Sequence, residues 1–354
     1  MNKIKILFYS HTVDFAGTWR SHERILLNID KDKFDVFVFY NPNQNNDRLE
    51  YLKTQMPVDH IIPFNASIDK LGPDMGYPYV STNFSELARS MNFDIIHFAR
   101  SGYYEWPFTE RISPIQIETN IFGGRYFGPY LDCSVTICDT ITRLRGKSDY
   151  TLYNPIPLPM NNDDDLKSEF NIPDDYHVFG RVGRKAGFNN VSILSLRRLK
   201  DMGYKFKYII LGACRDMISS INGLGLTDDC IIVEPTNDDH FIHKFHNTID
   251  VFLHYRSDGE CHSTAISQAM IYGIPIISHY AGYNGQVENI RDGGYVASGV
   301  DDYTQYLLKL VSGKQFYESI STNAKNRALD FEQGKIVKQW EDIYISYYKK
   351  KNEV

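Results

Sequence analysis

Asp258-Gly-Glu-Cys-His-Ser-Thr-Ala-Ile-Ser-Gln-Ala-Met-Ile-Tyr-Gly-Ile-Pro-Ile-Ile277 is the stretch that decides the fold of this chain. It predicts a loop, a helix, a tight turn and a buried strand, in that order. Ser263 or Thr264 can cap the helix, because a short hydroxyl side chain accepts from the unpaired N–H groups of the first turn. Gly273 lies where a left-handed stop is expected, and Pro275 prevents the helix from continuing. The isoleucines on either side of Pro275 favour a strand.

The start of this helix predicts a binding site for an anion. Its free N–H groups point towards the loop that holds Glu260, and such a helix end attracts phosphate above all. We expect the backbone N–H groups of His262, Ser263 and Thr264 to take part. Glu260 would repel a phosphate and therefore suits hydroxyl groups on a ligand that also carries phosphate, as a nucleotide sugar does. The alternative interpretation is the βαβ turn of an ordinary α/β domain.

The spacing of Glu260 and Gln268 carries a resemblance to a known family. Glu260 is followed, after seven residues, by Gln268-Ala-Met and by Tyr-Gly-Ile-Pro-Ile-Ile. This pattern resembles the Glu-x7-Glu signature of retaining family-4 glycosyltransferases, which have the GT-B fold. The resemblance implies that Glu260 holds the donor sugar hydroxyls and that Gln268 meets the ribose. An amide can donate to and accept from a hydroxyl, but its bond is not charge-assisted.

A basic loop follows the first strand predicted in the second half of the chain. Val178-Phe-Gly-Arg-Val-Gly-Arg-Lys185 places Arg184 and Lys185 where the same family sets an Arg and a Lys against the donor diphosphate. Arg181 is the substitute if one of them points away. Fixed cations stabilise the charge that grows on the leaving diphosphate without needing a metal. Gly212 ends the next strand and lets a nucleotide approach the backbone. The alternative for the two adjacent cations is a surface basic cluster.

The first half of the chain opens as a Rossmann-like domain does. A strand over 3–9, a glycine-bearing loop, a helix over 21–29 and a strand over 34–40 follow one another. The first loop contains no G-x-G-x-x-G, so dinucleotide binding there is not expected. Phe15-Ala-Gly-Thr-Trp19 resembles the family's glycine-rich loop, which faces the donor diphosphate, and Gly17 is the residue carried over. A plain turn glycine is the alternative.

The acceptor side is expected in an aromatic segment of the first half, because ligands collect beyond the carboxyl ends of strands in an open α/β sheet. Residues 100–130 contain eight aromatic side chains, among them Tyr103, and we expect half or more to be core. The strand over 115–120 ends at Asn120, the nearest match to a histidine with which the family touches the donor sugar. Glu118 lies two residues upstream. We therefore assign Tyr103, Glu118 and Asn120 to the acceptor or sugar side.

The composition is that of a globular protein whose partners are not nucleic acids. The 354 residues suggest two domains, and the hydrophobic content of 42% and charged content of 23% are ordinary. A net charge of -6 argues against nucleic-acid binding. The five cysteines are odd in number and form no CxxC pair, which predicts reduced thiols and a cytoplasmic location. No apolar run reaches the roughly 20 residues needed to span a bilayer, so membrane contact is expected to be peripheral at most.

Together with the resemblance, these patterns predict an α/β, GT-B-like fold with two Rossmann-like domains whose parallel sheets face each other across a cleft. The expected acceptor-side domain is 1–157, and the expected nucleotide-sugar-binding domain is 158–333. Residues 336–349 have an amphipathic pattern that predicts a helix. The resemblance implies that residues 334–354 form a last helix that crosses back to the first domain.

The resemblance implies the activity of a retaining glycosyltransferase. It would move a sugar from a UDP- or GDP-linked donor to a glycan, lipid-linked, protein-linked or other hydroxyl acceptor, with Glu260, Arg184 and Lys185 as catalytic residues. No cofactor or metal is expected, and the acidic run at 163–165 is interpreted as a solvated face instead of a metal-binding Asp-x-Asp. Two alternatives stay open. One is a sugar-nucleotide epimerase of the same fold, and the other is a non-catalytic sugar-nucleotide binder, which Gln268 and the missing histidine favour.

Overall fold

The computed structural model divides the chain into two compact α/β units. The first comprises Met1–Pro155 with Gln333–Val354, and the second comprises Ile156–Glu332. Each unit is built on a parallel sheet, and in the second unit the strands alternate with helices, which confirms the predicted α/β fold class with two parallel sheets. The structure describes residues 3–9, 13, 17–43, 46–64, 66–67, 80–81, 83–100, 110–125, 127–183, 187–236 and 238–353.

The first unit contains a seven-stranded sheet and a separate pair of short strands. Its strands are β1 (Ile4–Tyr9), β2 (Phe34–Tyr40), β3 (Ile61–Pro63), β4 (Ala66–Ser67), β5 (Val80–Ser81), β6 (Ile95–Arg100), β7 (Ile115–Asn120), β8 (Cys133–Thr136) and β9 (Tyr150–Thr151). The sheet order is β3-β2-β1-β6-β7-β8-β9, with parallel neighbours throughout, and β4 pairs antiparallel with β5. The helices are α1 (Gly17–Asn28), α2 (Leu49–Gln55), α3 (Phe84–Ser90), α4 (Asp139–Arg145) and α12 (Gln333–Asn352), with a 3-10 turn at Val58–His60.

Both faces of this sheet are buried, as expected for a parallel sheet. Successive side chains of β1 alternate between the faces. Ile6 and Phe8 join one apolar cluster, whereas Leu7 joins the cluster on the other face together with Phe84 of α3. The apolar runs predicted as strands therefore form the centre of the unit.

Helix α12 packs into the apolar cluster that contains Ile6 and Phe8. Its Ile336, Trp340, Ile343 and Tyr344 are buried in the same core as β1 and α1. The amphipathic pattern predicted for residues 336–349 is thus confirmed. The last 22 residues of the chain belong to the first unit, although the second unit separates them from it in sequence.

The second unit contains a six-stranded parallel sheet. Its strands are β10 (His177–Val182), β11 (Phe206–Leu211), β12 (Cys230–Val233), β13 (Val251–Leu253), β14 (Ile276–His279) and β15 (Gly294–Ala297), in the sheet order β12-β11-β10-β13-β14-β15. The helices are α5 (Val191–Asp201), α6 (Arg215–Gly223), α7 (Asp239–Thr248), α8 (Thr264–Ile271), α9 (Gly285–Ile290), α10 (Val300–Ser312) and α11 (Lys314–Ala328), with 3-10 turns at Thr227–Asp229 and Leu329–Phe331. The strand order reverses between β10 and β13, and the carboxyl ends at such a point are where ligands bind in open α/β sheets.

Some elements differ from the sequence-based expectations. Gly17 starts α1 instead of lying in a loop before a helix at 21. Three helices, α6, α7 and α9, occupy segments without a predicted helix. Their Asn, Asp and Ser residues favour turns unless they find a capping position. In α7 the Asp238 carboxylate provides such a cap, because it accepts from the N–H groups of His240 at 2.9 Å and Phe241 at 3.3 Å.

Candidate functional site

The stretch 258–277 folds as its sequence predicts. β13 leads into residues 254–263, here called the Glu260 loop, and α8 follows. The Ser263 hydroxyl accepts from the backbone N–H of Ile266 at 3.4 Å and caps α8, so the structure selects Ser263 from the two cap candidates. Gly273 turns the chain with a φ of 76° before β14, which confirms the predicted left-handed stop.

A second loop, the glycine turn of residues 281–285, lies against the Glu260 loop. The backbone N–H of Gly285 donates to the carbonyl oxygen of Glu260 at 2.7 Å. A Cβ atom at Gly285 would lie 1.7 Å from the carbonyl oxygen of Cys261, so this approach requires glycine. The backbone N–H of Glu260 donates to Oε1 of Gln286 at 3.2 Å. The backbone of Glu260 is therefore held on both sides.

The Glu260 carboxylate is an ionised and partly exposed group. Its side chain is 18% exposed. Oε1 lies 3.3 Å from Nε2 of His254, and Oε2 lies 3.6 Å from Nη1 of Arg256. Burial pushes the pKa of the Glu260 carboxyl upward, but the hydrogen bond from His254 and the charge of Arg256 outweigh burial, and the pKa is lowered. At neutral pH Glu260 therefore offers carboxylate oxygens that accept hydrogen bonds from hydroxyl groups.

The start of α8 is less open than the sequence predicts. The backbone N–H of Ser263 donates to Oδ1 of Asn289 at 2.7 Å, so the expectation that it serves a phosphate is wrong. His262 is buried, with its ring edge-on to that of Phe331 at 5.0 Å between centroids, and burial lowers its pKa to about 4. Thr264 is partly exposed at the first position of the helix. Of the three predicted residues, Thr264 is the one that the helix end presents outward.

Gln268 lies one helical turn beyond Thr264. The two side chains share a face of α8, because residues four apart in a helix are neighbours, and both are partly exposed. The amide of Gln268 has the donors and the acceptor that a pair of hydroxyl groups requires. Its contact with a ribose stays a prediction.

Arg181 is the predicted cation of the basic loop that the structure describes, whereas Arg184 and Lys185 lie outside the described residues. Its guanidinium lies over the ring of Tyr255, with 4.0 Å from Cζ to the ring centroid, and the residue is 5% exposed. The Nη1 atom has no hydrogen-bond partner among the described residues. A buried guanidinium with a spare N–H group favours an anionic partner. Because β10 and β13 are parallel neighbours, Arg181 and the Glu260 loop lie at adjacent strand ends.

Gly212 makes the turn after β11 with a φ of 86°, a conformation that favours glycine. A Cβ atom there would lie 2.1 Å from the carbonyl oxygen of Gly183, and one at Gly183 would lie 2.8 Å from Nη2 of Arg181. The backbones at the ends of β10 and β11 are therefore in close contact beside the guanidinium of Arg181. The predicted approach of a nucleotide to Gly212 stays a prediction.

The residues predicted on the acceptor side lie in the interior of the first unit. Glu118 is fully buried in β7 and pairs with Arg145 of α4. Asn120 is also fully buried and holds the turn after β7, because Oδ1 accepts from the N–H of Gly123 at 2.8 Å and Nδ2 donates to the carbonyl of Gly124 at 3.1 Å. These bonds within the unit argue for structural roles and against direct contact with a ligand.

The remaining predictions for the first unit are only partly described. Tyr103 lies outside the described residues. Gly17 is the half-buried first residue of α1, and its carbonyl oxygen accepts from Oγ of Ser21 at 2.8 Å. In the aromatic segment over 100–130, the described rings are exposed instead of core, namely Phe122, Phe127 and Tyr130.

Sequence reasoning missed three buried polar side chains that build the site, namely His254, Gln286 and Asn289. His254 had a usable signal, because a histidine directly after an apolar strand lies at the carboxyl end where ligands collect. Gln286 and Asn289 had none, because amide side chains in a short polar segment are ordinarily exposed.

The acidic run lies on a solvated face, as predicted. Asp163, Asp164 and Asp165 are exposed, and Oδ2 of Asp164 lies 3.2 Å from Nε2 of His240.

In the described part of the chain, no group of three or more His, Cys, Asp or Glu side chains is arranged to hold a metal ion. No described helix combines the length and the apolar character that crossing a membrane requires.

Solved structures of other proteins share the fold of this chain. A glycosyltransferase from Rickettsia africae matches with a TM-score of 0.74 at 14% identity, over 99% of this chain and 100% of its own. HepE from Anabaena, in complex with UDP and glucose, matches with a TM-score of 0.73 at 14% identity, over 97% of this chain and 100% of its own. Sucrose-phosphate synthase from Thermosynechococcus elongatus matches with a TM-score of 0.71 at 13% identity, over 98% and 100%. At these identities the likeness concerns the fold.

Part of the second unit matches a known protein family in sequence. Residues 163–327 match the family described as "Glycosyl transferases group 1". This segment contains Arg181, the Glu260 loop, α8 and the glycine turn. No curated protein sequence matches the chain. The likeness to solved glycosyltransferase structures shows the GT-B fold, and the family match concerns residues 163–327.

Proposed function

We propose that this protein is a retaining glycosyltransferase that moves a sugar from a UDP- or GDP-linked donor to a hydroxyl group of a glycan or another acceptor. The observation that carries the proposal is the ionised, partly exposed carboxylate of Glu260 within the segment that matches group 1 glycosyl transferases. The likeness of the fold to HepE, which was solved with UDP and glucose, supports a nucleotide-sugar donor.

The described side chains suit the two ends of such a donor. The carboxylate of Glu260 accepts hydrogen bonds from sugar hydroxyls, and bonds to an ionised acceptor are the stronger kind. The buried guanidinium of Arg181 offers Nη1 to the diphosphate, whose negative charge grows as the glycosidic bond breaks. A fixed cation can stabilise this charge without a metal, so we propose metal-independent transfer. We assign no protein general base, because a phosphate oxygen of the leaving group can take the acceptor proton.

A binding screen is the first test, since a ligand that binds only the folded state raises its melting temperature. UDP, GDP, ADP and CMP are the ligands to compare, and UDP or GDP is expected to raise it most. The matching nucleotide sugar is then assayed for nucleotide release and transfer. Glu260→Gln is expected to lower turnover at least about tenfold, because it removes a charge-assisted hydrogen bond. Glu318→Gln, on the exposed side of α11, is the matched control. Wild-type turnover in Glu260→Gln would contradict the role of Glu260.

Two further readouts address the finer parts of the proposal. The anomeric configuration of the product, followed by NMR, should equal that of the donor, and an inverted product would exclude a retaining mechanism. Transfer in the presence of EDTA should proceed at the rate seen without it. A loss that added Mg²⁺ or Mn²⁺ restores would exclude metal-independent transfer.

Gln268 favours a second candidate, a sugar-nucleotide-binding protein without transferase activity. An amide in place of a carboxylate makes a weaker bond to the ribose. Calorimetry that shows donor binding, without hydrolysis or transfer over a panel of acceptors, would support this candidate. Conversion of the donor in the absence of any acceptor would identify an epimerase.

A further inference from the structure

A buried histidine connects Glu260 with the neighbouring strand. His254 follows β13 directly and is 5% exposed. Its Nδ1 lies 2.7 Å from Oγ of Ser278 in β14, and its Nε2 lies 3.3 Å from Oε1 of Glu260. Ser278 is fully buried. The row Ser278–His254–Glu260 therefore leads from the interior of the sheet to the partly exposed carboxylate.

The chemistry of the three groups sets the direction of both hydrogen bonds. An ionised carboxylate only accepts, so Nε2 of His254 carries a proton and donates to Glu260. In the neutral imidazole Nδ1 is then an acceptor, and the hydroxyl of Ser278 donates to it. Ser278 thus favours the tautomer of His254 that serves Glu260. Partners of this kind fix the ring orientation and tautomer of histidines around metal sites in the same way.

The backbone around His254 is also fixed. Its N–H donates to the carbonyl oxygen of Ile277 at 2.8 Å, and its carbonyl oxygen accepts from the hydroxyl of Tyr303 at 3.4 Å. Tyr303 is fully buried and donates to the carbonyl oxygen of Ile277 at 3.0 Å as well. The imidazole therefore extends from a rigid base, as a group that orients another side chain requires.

The two oxygens of Glu260 have unequal surroundings. Oε1 meets His254, whereas Oε2 makes no hydrogen bond among the described residues and lies 3.6 Å from Nη1 of Arg256, beyond ordinary hydrogen-bond distance. We propose that His254 and Ser278 are positioning residues that hold Oε1 of Glu260 and leave Oε2 to accept from a hydroxyl group of the donor sugar. The identity of the ligand rests on the proposed function, but the row of hydrogen bonds does not.

Histidine-selective ¹⁵N labelling tests the row without an activity assay. Long-range ¹H–¹⁵N spectra show which ring nitrogen carries the proton, and the signal lost in His254→Gln identifies His254 among the 11 histidines. At pH 8 we expect the proton on Nε2. Ser278→Ala, which removes the donor to Nδ1, and Glu260→Gln, which weakens the acceptor for Nε2, should each raise the share of the other tautomer. A proton on Nδ1 in the wild type, or spectra that neither variant changes, would overturn the proposal.

Kinetics test whether the row acts through Glu260. Ser278→Ala and His254→Leu are expected to lower kcat/KM for the donor about tenfold, the usual scale for losing an orienting partner. His254→Gln should recover part of this loss, because its amide can still donate to Glu260. In a Glu260→Gln background, Ser278→Ala should cause no further loss, since coupled residues are not additive. An equal loss in both backgrounds would overturn the proposal.

Ser192→Ala is the matched control for these variants. Ser192 is a fully buried serine of α5 whose hydroxyl has no hydrogen-bond partner in the described part of the chain. Its removal tests the cost of losing a buried hydroxyl in the same unit, and the wild-type rate is expected. If the wild-type protein binds and cleaves no nucleotide sugar, the proposed function fails, and the ¹⁵N spectra alone decide whether the row exists.

Discussion

Glu118 and Arg145 show, at the scale of single residues, how a charge expected to meet a ligand can serve the interior instead. Both side chains are fully buried, and Oε1 of Glu118 also accepts from Oγ of Ser134 at 2.7 Å. The guanidinium of Arg145 lies over the ring of Phe127, with 4.0 Å from Cζ to the ring centroid, and donates to the carbonyl of Gly124. The ion pair therefore joins β7, β8, α4 and the turn after β7.

Removing one charge of this pair should destabilise the first unit strongly. Glu118→Gln removes the charge that Glu118 sets against the buried cation of Arg145, and breaking a buried ion pair in this way typically costs about 3–5 kcal/mol. Urea unfolding followed by tryptophan fluorescence measures this unit alone, because all three tryptophans of the chain belong to it. Glu50→Gln, at an exposed ion pair of α2, should leave the midpoint unchanged. Equal urea midpoints for Glu118→Gln and Glu50→Gln would show that the buried ion pair does not stabilise the first unit by this amount.

At the scale of elements, the glycine turn controls the position of the Glu260 loop. In Gly285→Ala the new Cβ would lie 1.7 Å from the carbonyl oxygen of Cys261 and 2.5 Å from that of Glu260, so the two loops must separate. We expect a loss of about 1–3 kcal/mol, typical of overpacking, together with weaker donor binding because Glu260 moves. Calorimetric unfolding and a nucleotide-sugar titration measure the two effects.

Gly223→Ala is the control for this substitution. Gly223 is the last residue of α6, and a Cβ there meets no atom within 4 Å. Alanine should therefore be neutral or stabilising, by at most about 1 kcal/mol, since it is the better helix former. If Gly285→Ala behaved as Gly223→Ala does, the close approach of the two loops would not matter for stability.

The same scale explains which elements could be predicted. The strands over 34–40 and 115–120 have the predicted bounds, because apolar, β-branched runs next to turn residues are strong local signals. The helices α6 and α9 lack such a pattern. The capping role of Ser263 was visible in its position, but the loss of its backbone N–H to Asn289 was not, because α9 brings Asn289 there from 26 residues away.

For the whole molecule, the α/β class follows from alternating strands and helices, whereas the GT-B architecture came from the resemblance around Glu260 and Gln268. The chemistry of Glu260 was predictable from its residue type and its place before a helix. The row through His254 was not, because it depends on β14 lying beside β13, and sequence alone does not reveal that order. Contacts between segments that lie 24 to 26 residues apart in the chain thus account for the site residues that the sequence did not predict.

Buried histidines add a property of the whole molecule, since folding keeps four of them neutral. Burial lowers the pKa of His22 and of His246 to about 3 and that of His262 to about 4, and it lowers the pKa of His97 well below its usual value. In the unfolded chain, each histidine takes up a proton below a pKa of about 6.5. The unfolded state therefore binds more protons in mild acid, and stability present above pH 6.5 is lost as the pH falls towards the folded values.

The first unit, which contains His22 and His97, should lose up to about 2 kcal/mol per histidine between pH 7 and pH 5. Carboxyl groups titrate mainly below this window, so the histidines dominate it. Urea unfolding followed by tryptophan fluorescence at pH 7, 6 and 5 gives the slope of the free energy of unfolding against pH.

His22→Phe places a ring that cannot be protonated beside Phe8, whose ring centroid lies 5.7 Å from that of His22. This variant should reduce the slope by about 1.4 kcal/mol per pH unit, because one proton fewer is taken up on unfolding. Parallel profiles for the wild type and His22→Phe would mean that His22 is already charged, or exposed to water, in the folded protein.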